Sequence, residues 1–262
     1  MQYEIERELS TLGGRSACVV VRLDEAAPRE LVSIHCDMLF PAASLVKVPI
    51  LIEAARQIEF GLLAWDTRYT VPDTAHVSSS GVLTDLSPDL RPTLRDLAHL
   101  MITISDNTAS NMLLSLMDMD SVNTTMQQLG ANSTRVERRF MDFEARKAGS
   151  ENWTTAGDMA LLLSFFCTDL LPGREQMLEM LLRQNDHSLL SAYWNEDIPF
   201  AHKTGELEGI LHDAGILYPP YPVQTPQPPL IVVVMTAEQS DIPLTRYVLA
   251  RIGRIVYNQE AL

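Results

Sequence analysis

The spacing of apolar residues changes character twice along this chain, and the two changes divide it. The opening MQYEIERELSTLGG is amphipathic, and SACVVVRL (16–23) and ELVSIHC (30–36) are β-branched runs separated by the turn-like DEAAPR. This pattern predicts a short helix and then a strand pair. From Ser44 the spacing turns helical in SLVKVPILIEAARQIEFG, which stops at Gly61. Pro49 is compatible with that helix only in its first turn or at a bend, because it lacks an N–H and crowds the preceding turn. In TLRDLAHLMITI, Leu94, Leu97, Ala98 and Met101 fall at i, i+3, i+4 and i+7, and Thr93 with Asp96 resembles a capping pair. A helical hairpin follows through NTASNMLLSLM and SVNTTMQQLG, then helices over 156–167 and 174–184. Strand patterning returns in FAHKTG (200–205), GILHDAGILY (209–218) and LIVVVMTA (230–237). A closing helix, DIPLTRYVLARIGRIV, opens with Pro243.

Strands thus sit at both ends and helices in the middle, an α/β (α+β) arrangement without an internal repeat or a separate linker. The predicted organisation is one domain over residues 1–262, with its α/β part at about 1–43 and 190–262 and its helical part at about 44–189. The stretch PPYPVQTPQPP lies between two predicted strands, a position that favours a stiff hairpin loop over a proline-rich recognition peptide.

Composition narrows the function. With 262 residues, 46% of them apolar, the chain can bury a substantial core. Its 34 Asp and Glu against 20 Lys and Arg give a formal charge of −14, which disfavours nucleic acid as a partner yet leaves small anions acceptable to a locally basic pocket. Cys18, Cys36 and Cys167 are an odd number at wide spacing, which predicts three buried thiols rather than a disulfide framework or a zinc site. The N-terminus lacks the basic start and apolar stretch of a signal peptide, and no apolar run reaches membrane-spanning length. The expected location is cytoplasmic for the sequence as written, or secreted or periplasmic if a leader has been removed.

Three short motifs carry chemistry. Ser44 to Lys47, SLVK, stands at a predicted helix start, where residues i and i+3 share a face and an amine can reach the serine hydroxyl that it must activate. The helix N-terminus favours negative charge developing there. A Ser-x-x-Lys match arises about once by chance in a chain of this length and composition. SDN, Ser105 to Asn107, read alone is a helix cap, and KTG, Lys203 to Gly205, read alone is a strand end and turn. Their conjunction, in this order, is the signature of class A β-lactamases and penicillin-binding proteins.

With FPAASLVKVPIL, SGVLTDL, TLRDLAHLMITISDNTASNMLL and HKTGELEGILHDAGIL also similar to stretches of that family, the chain resembles the penicillin-recognising serine hydrolases over nearly its whole length. The resemblance implies a β-lactamase/transpeptidase-like fold, an antiparallel sheet flanked by helices plus an all-helical part. It implies Ser44 as the acylated nucleophile, Lys47 as its base or proton relay, and Ser105 as proton shuttle to the leaving nitrogen. Asn107 would bind the substrate's amide side chain, and Lys203 and Thr204, with Gly205, its carboxylate. The backbone amides of Ser44 and Glu206 would form the oxyanion hole. Lys47 and Lys203 would lower each other's pKa and attract an anion. The expected partner is a small molecule, a β-lactam or related amide or ester bearing a carboxylate, with no cofactor, metal, nucleic acid or membrane.

One part of the family pattern is in doubt. Class A enzymes hydrolyse the acyl-enzyme with a loop glutamate in an Arg-x-Glu-x-x-Leu-Asn pattern. Glu137 in RVERRFM fits that slot with Phe140 and Met141 in place of Leu and Asn. The alternative register, ungapped from LGANSTRV, puts Arg138 in the arginine slot and Phe140 in the glutamate slot, and it is preferred because it needs only a shortened loop before TTAGDMA. Asp142, Glu144 or Glu151 could then supply the base only from a differently folded loop, and each reads equally as a solvated or ion-paired carboxylate beside Arg138, Arg139, Arg146 and Lys147. Three functions remain: a β-lactamase, an esterase or D-Ala-D-Ala-type peptidase, and a penicillin-binding sensor that acylates without release.

Overall fold

The structure is a computed structural model that describes residues 1–24, 26–72, 76–77, 80–194, 198–219 and 228–260. Helix α1 (Gln2–Leu9) precedes β1 (Arg15–Leu23) and β2 (Pro28–Ile34), and β3 (Phe40–Pro41) is a two-residue strand. A 3-10 turn, Ala43–Val46, runs into α2 (Lys47–Glu59), which is followed by α3 (Leu94–Thr103), α4 (Asn107–Met117) and α5 (Met119–Gln128). Then come the short α6 (Phe143–Lys147), β4 (Trp153–Thr154), α7 (Ala156–Phe165) and α8 (Arg174–Leu182). Strands β5 (Phe200–Leu207), β6 (Ile210–Leu217) and β7 (Leu230–Ala237) lead to α9 (Ile242–Glu260).

The five long strands form one antiparallel sheet in the order β2-β1-β7-β6-β5. Every residue of β6 and β7 is buried, which explains their nearly unbroken apolar sequence: both faces of the sheet are covered. On one face Ala17, Val19, Val233 and Met235 join a large core with α2, α3, α4 and α7. On the other, Cys18, Val20, Val232 and Val234 pack with Ile5 of α1 and Val248, Leu249 and Ile252 of α9. Edge strand β5 is left beside the Ser44 turn.

The elements inherit their ends from side-chain chemistry. Thr93 and Asp96 form a reciprocal capping box on α3. Pro49 is the third residue of α2, inside the first turn, where its missing N–H costs nothing. Two features depart from the sequence expectations. Ser44 enters its helix through a 3-10 turn, and of the three free thiols only Cys18 is buried, since Cys36 and Cys167 lie in half-exposed turns beyond their strand and helix. The proline-rich stretch falls, but for its ends, outside the described residues. Among the described residues no helix is long and apolar enough to cross a membrane.

Candidate active site

The turn carrying Ser44 is reached through Ala43 at φ 47°, a left-handed conformation uncommon for a residue with a Cβ and concentrated at functional sites. It holds Ser44 half-buried where two openings meet. One is a recess of ≈ 60 Å³ lined by Asn107, Arg138, Phe140, Glu151 and Asn152 among others. The other is a cleft of ≈ 470 Å³ lined by Ser80, Ser105, Asp186 and Thr204 among others, and Ser44 and Glu206 border both.

Lys47, one turn on, is fully buried. Its Nζ donates to the carbonyl (2.7 Å) and Oγ (2.8 Å) of Ser105 and to Asn107 Oδ1 (2.8 Å). The three donors of an ammonium group are thereby taken, so the direct amine–Ser44 hydrogen bond expected from the i, i+3 spacing is not formed. Burial pulls the Lys47 pKa well below the ordinary lysine value, Lys203 pushes it further down, and Asp106 opposes the fall. Of the mutual depression expected of two cations in one cleft, one half is present: Lys203 lowers Lys47, whereas the fall in Lys203 comes from burial and not from Lys47.

The SDN segment sits between α3 and α4 as a cap and as more than a cap. Ser105 takes φ 59°, which turns its carbonyl and hydroxyl oxygens to the same amine. Asp106 accepts from Ala109 N at the start of α4 (2.9 Å) and, through its other oxygen, from Val82 N and Leu83 N (2.8 Å each). It thus fastens SGVLTDL against the site. Gly81 there has φ 119°, and a Cβ on it would lie 2.3 Å from the Asp106 carboxylate. Ser80 O accepts from Asn107 N at 3.1 Å.

Strand β5 closes the other side. Gly205 passes so near the nucleophile's turn that a Cβ would stand 3.2 Å from Ala43 Cβ and 3.3 Å from Ser44 N. Lys203 is fully buried and donates to Thr204 O at 2.9 Å. Burial lowers its pKa to about 8, against the upward pull of Asp213 and Asp186. Asp213 on β6 bonds His202 Nδ1 (2.8 Å) and accepts from Leu190 N (3.1 Å).

The stretch 135–153 forms a strap under the recess. Its neck is pinned by reciprocal Arg135–Trp153 backbone bonds of 3.0 Å, and Ala42 N donates to Asn152 O at 2.7 Å, tying the strap to the segment before Ser44. The buried Arg138 and Glu151 pair at 2.6 Å, and Arg146 reaches the other Glu151 oxygen at 3.0 Å. Glu137 is paired with Arg135 at 2.6 Å, Glu144 with Lys147 at 2.7 Å, and Asp142 caps α6 through Ala145 N at 2.9 Å. Phe140 is anchored by two bonds to Asn111 (N–H to Oδ1, 2.9 Å; Nδ2 to O, 3.1 Å). Its ring centroid is 4.6 Å from Lys47 Nζ. Of the four candidate carboxylates, only Glu151 lines the recess, and both its oxygens are engaged by guanidinium groups.

Ser44, Lys47, Ser105, Asn107, Lys203, Thr204, Gly205 and Glu206 therefore converge on one place, whereas Glu137, Asp142 and Glu144 are turned to partners of their own. Sequence reasoning did not single out Ser80, Asp186, Asp213 or Arg246. Ser80 and Asp213 were within reach, since they lie in the quoted SGVLTDL and HKTGELEGILHDAGIL; Asp186 and Arg246 carry no local motif and meet Lys203 or Glu206 only through the fold. Among the described residues no group of three or more His, Cys, Asp and Glu is arranged to hold a metal ion.

Residues 2–259 match the model of the Beta-lactamase enzyme family. Among solved structures, the chain is similar to the β-lactamase of Sphaerobacter thermophilus DSM 20745, with 29% identity over 97% of this chain and 95% of that one and a TM-score of 0.85. An ancestral class A β-lactamase (GNCA) aligns at 25% identity over 98% of each chain, TM-score 0.87. PBP-A aligns at 25% over 98% and 94%, TM-score 0.86, and a leucine-to-glutamate variant of PBP-A is described as an acyl-enzyme complex with penicillin G.

Proposed function

Because this chain belongs to the beta-lactamase enzyme family, we propose that it is a serine hydrolase that opens β-lactam rings through an acyl-Ser44 intermediate and releases that intermediate slowly. The observation that carries the reading is the Lys47 amine, buried, hydrogen-bonded to Ser105 Oγ and Asn107 Oδ1, adjoining Ser44 and covered by the Phe140 ring.

Burial and Lys203 hold the Lys47 pKa below the ordinary lysine value, which eases its loss of a proton and suits it to act as a base or relay. Ser44 Oγ attacks the lactam carbonyl as its proton passes to Lys47. The backbone amides of Ser44 and Glu206 receive the developing oxyanion. The C–N bond then breaks, and the proton reaches the leaving nitrogen through Ser105 Oγ, which is 2.8 Å from Lys47 Nζ. Asn107 is assigned to bind the substrate's amide side chain, and Lys203 with Thr204 to supply the positive potential at the other end of the cleft. Hydrolysis of the ester needs a water held and deprotonated, and in the recess the Phe140 ring offers no proton acceptor while Glu151 is committed to two arginines. Those two features support slow release of the acyl-enzyme over rapid turnover. Similarity to PBP-A, one variant of which is described with penicillin G as an acyl-enzyme, is consistent with a penicillin-binding character.

The test is intact-mass spectrometry over time after mixing with benzylpenicillin, alongside a chromogenic cephalosporin assay. The expected result is a stoichiometric adduct on Ser44, a burst of one product per enzyme, and no adduct on Ser44→Ala. Labelling that persists in Ser44→Ala, or rapid multiple turnover without a detectable adduct, overturns the reading.

A further inference from the structure

Strands β5 and β6 carry a buried polar cluster that the acylation steps leave unused. Asp213 is fully buried, and its Cα pairs across the ladder with that of Thr204, the neighbour of Lys203. His202, equally buried, donates from Nδ1 to Asp213 Oδ1 at 2.8 Å, and Leu190 N donates to Asp213 Oδ2 at 3.1 Å. Two fixed donors, one on each oxygen, suit a carboxylate anion, which only accepts. The His202 ring is stacked on Phe200 at a centroid separation of 4.2 Å, and its Nε2 has no hydrogen-bond partner among the described residues. A buried nitrogen without a partner is costly, so the ring is placed for its Nδ1 bond alone.

Lys203 needs such an anion. It is fully buried, and its Nζ donates to a backbone oxygen, Thr204 O, at 2.9 Å, which leaves the charge itself unbalanced by any bonded carboxylate. Burial lowers its pKa to about 8, and Asp213 first and Asp186 second oppose that fall. The other ionisable groups about this end are Lys47 of α2, His212 of β6, Glu206 of β5 with its partner Arg246 of α9, and His187, whose ring lies 5.5 Å from that of His202. Lys47 has the same sign as Lys203, and burial lowers the His212 pKa to about 4, so that ring is neutral near neutrality. Asp213 is the fully buried anion of the set. We infer that Asp213, clamped by His202 and Leu190 N, is a positioning residue, the counter-charge that lets Lys203 stay an ammonium group in a dry strand and receive a substrate's carboxylate. This rests on the acyl-transfer reading above and adds to it a residue that acts through Lys203 and not on the reacting atoms.

Acylation of Ser44 by benzylpenicillin and by its methyl ester, which lacks the anionic charge, separates this role from a structural one. The readout is the ratio of the two second-order rate constants in the full-length protein between about pH 7.5 and 9.5, above the range of an ordinary imidazole. Titration of Lys47 bears on both substrates and cancels in the ratio. In the wild type the ratio should fall with rising pH through about 8, because the Lys203 ammonium group is present below that value and lost above it. Asp213→Asn keeps the shape and one acceptor oxygen but removes the charge. It should move the fall about one unit toward acid, read as a ratio about five- to tenfold lower near pH 8.5 with the ester rate little changed. Asp186→Asn should move it the same way by less. A ratio profile unmoved by Asp213→Asn, or moved further by Asp186→Asn, overturns the inference. Should Asp213→Asn not fold, the wild type carries the test: the carbon-13 resonance of the Asp213 carboxyl should be that of a carboxylate across this range and should step as Lys203 titrates. A protonated carboxyl or a flat trace overturns the inference. Failure of both substrates to acylate Ser44 overturns the acyl-transfer reading, and the carboxyl resonance then still decides the role of Asp213.

Discussion

On the proposed reading, Phe140 bears on release of the acyl-enzyme more directly than any carboxylate in its neighbourhood. It lies in the recess with its ring centroid 4.6 Å from Lys47 Nζ, and its backbone is fixed on both sides by Asn111. A carboxylate grown from that position would point at the amine and at any ester on Ser44. Phe140→Glu is therefore expected to shorten the lifetime of the acyl-enzyme by about 10²- to 10⁴-fold, the usual contribution of a general base to its own step. Glu137→Gln should leave that lifetime unchanged, because Glu137 is exposed and paired with Arg135. The adduct half-life by mass spectrometry checks both, and a lifetime that responds to Glu137→Gln but not to Phe140→Glu would reinstate the other register. Much of this was legible in the sequence: the motifs name Ser44, Lys47, Ser105 and Lys203, and an ungapped count puts Phe140 in the glutamate slot. What no count along the chain reveals is where the Lys47 protons go. The serine-to-lysine spacing suggests one bond, and the left-handed backbone of Ser105 provides others instead.

At the level of elements, the strap from Arg135 to Trp153 separates what patterning can read from what it cannot. The helices and long strands around it have apolar periods, and these set their number and order, including the capping box on α3 and the proline in the first turn of α2. The strap has no period to read. Its shape comes from a buried ion pair between residues 13 apart and from backbone bonds at its neck, so its carboxylates can be assigned partners only once it is folded. Glu151 is the informative case. Removing one partner of a buried ion pair typically costs about 3–5 kcal/mol, since the other charge is left desolvated, and here Arg138 would be stranded. Glu151→Gln is expected to lower the unfolding free energy in urea by about that amount. It should also make the strap more susceptible to proteolysis, while Glu144→Gln, at an exposed pair, should do neither. A Glu151→Gln protein of unchanged stability whose acyl-enzyme simply lasts longer would mean that Glu151 is the base and not the fastening.

For the whole molecule, charge acts at two ranges that can be separated. The chain carries a formal −14, a field that every substrate meets before it reaches the cleft, whereas the Glu206–Arg246 pair acts only at contact. Screening distinguishes them: the Debye length shrinks from roughly 30 Å at 0.01 M salt to roughly 3 Å at 1 M, which erases the long-range field but leaves close contacts largely intact. Raising ionic strength from low to high should therefore increase the acylation rate constant of an anionic β-lactam such as benzylpenicillin by about two- to threefold, because the overall field repels it. An acyl donor with an ammonium group should slow by a similar factor, and a neutral ester should not respond. Glu206→Gln, which changes only one charge of the net excess, should keep nearly the same salt slope. Rates measured across a salt series would settle the sign. A benzylpenicillin rate that falls as salt is added would mean that Lys203 and Arg246 govern the approach to the cleft as well as the binding within it, and that the acidic surface of this protein is electrostatically remote from its site.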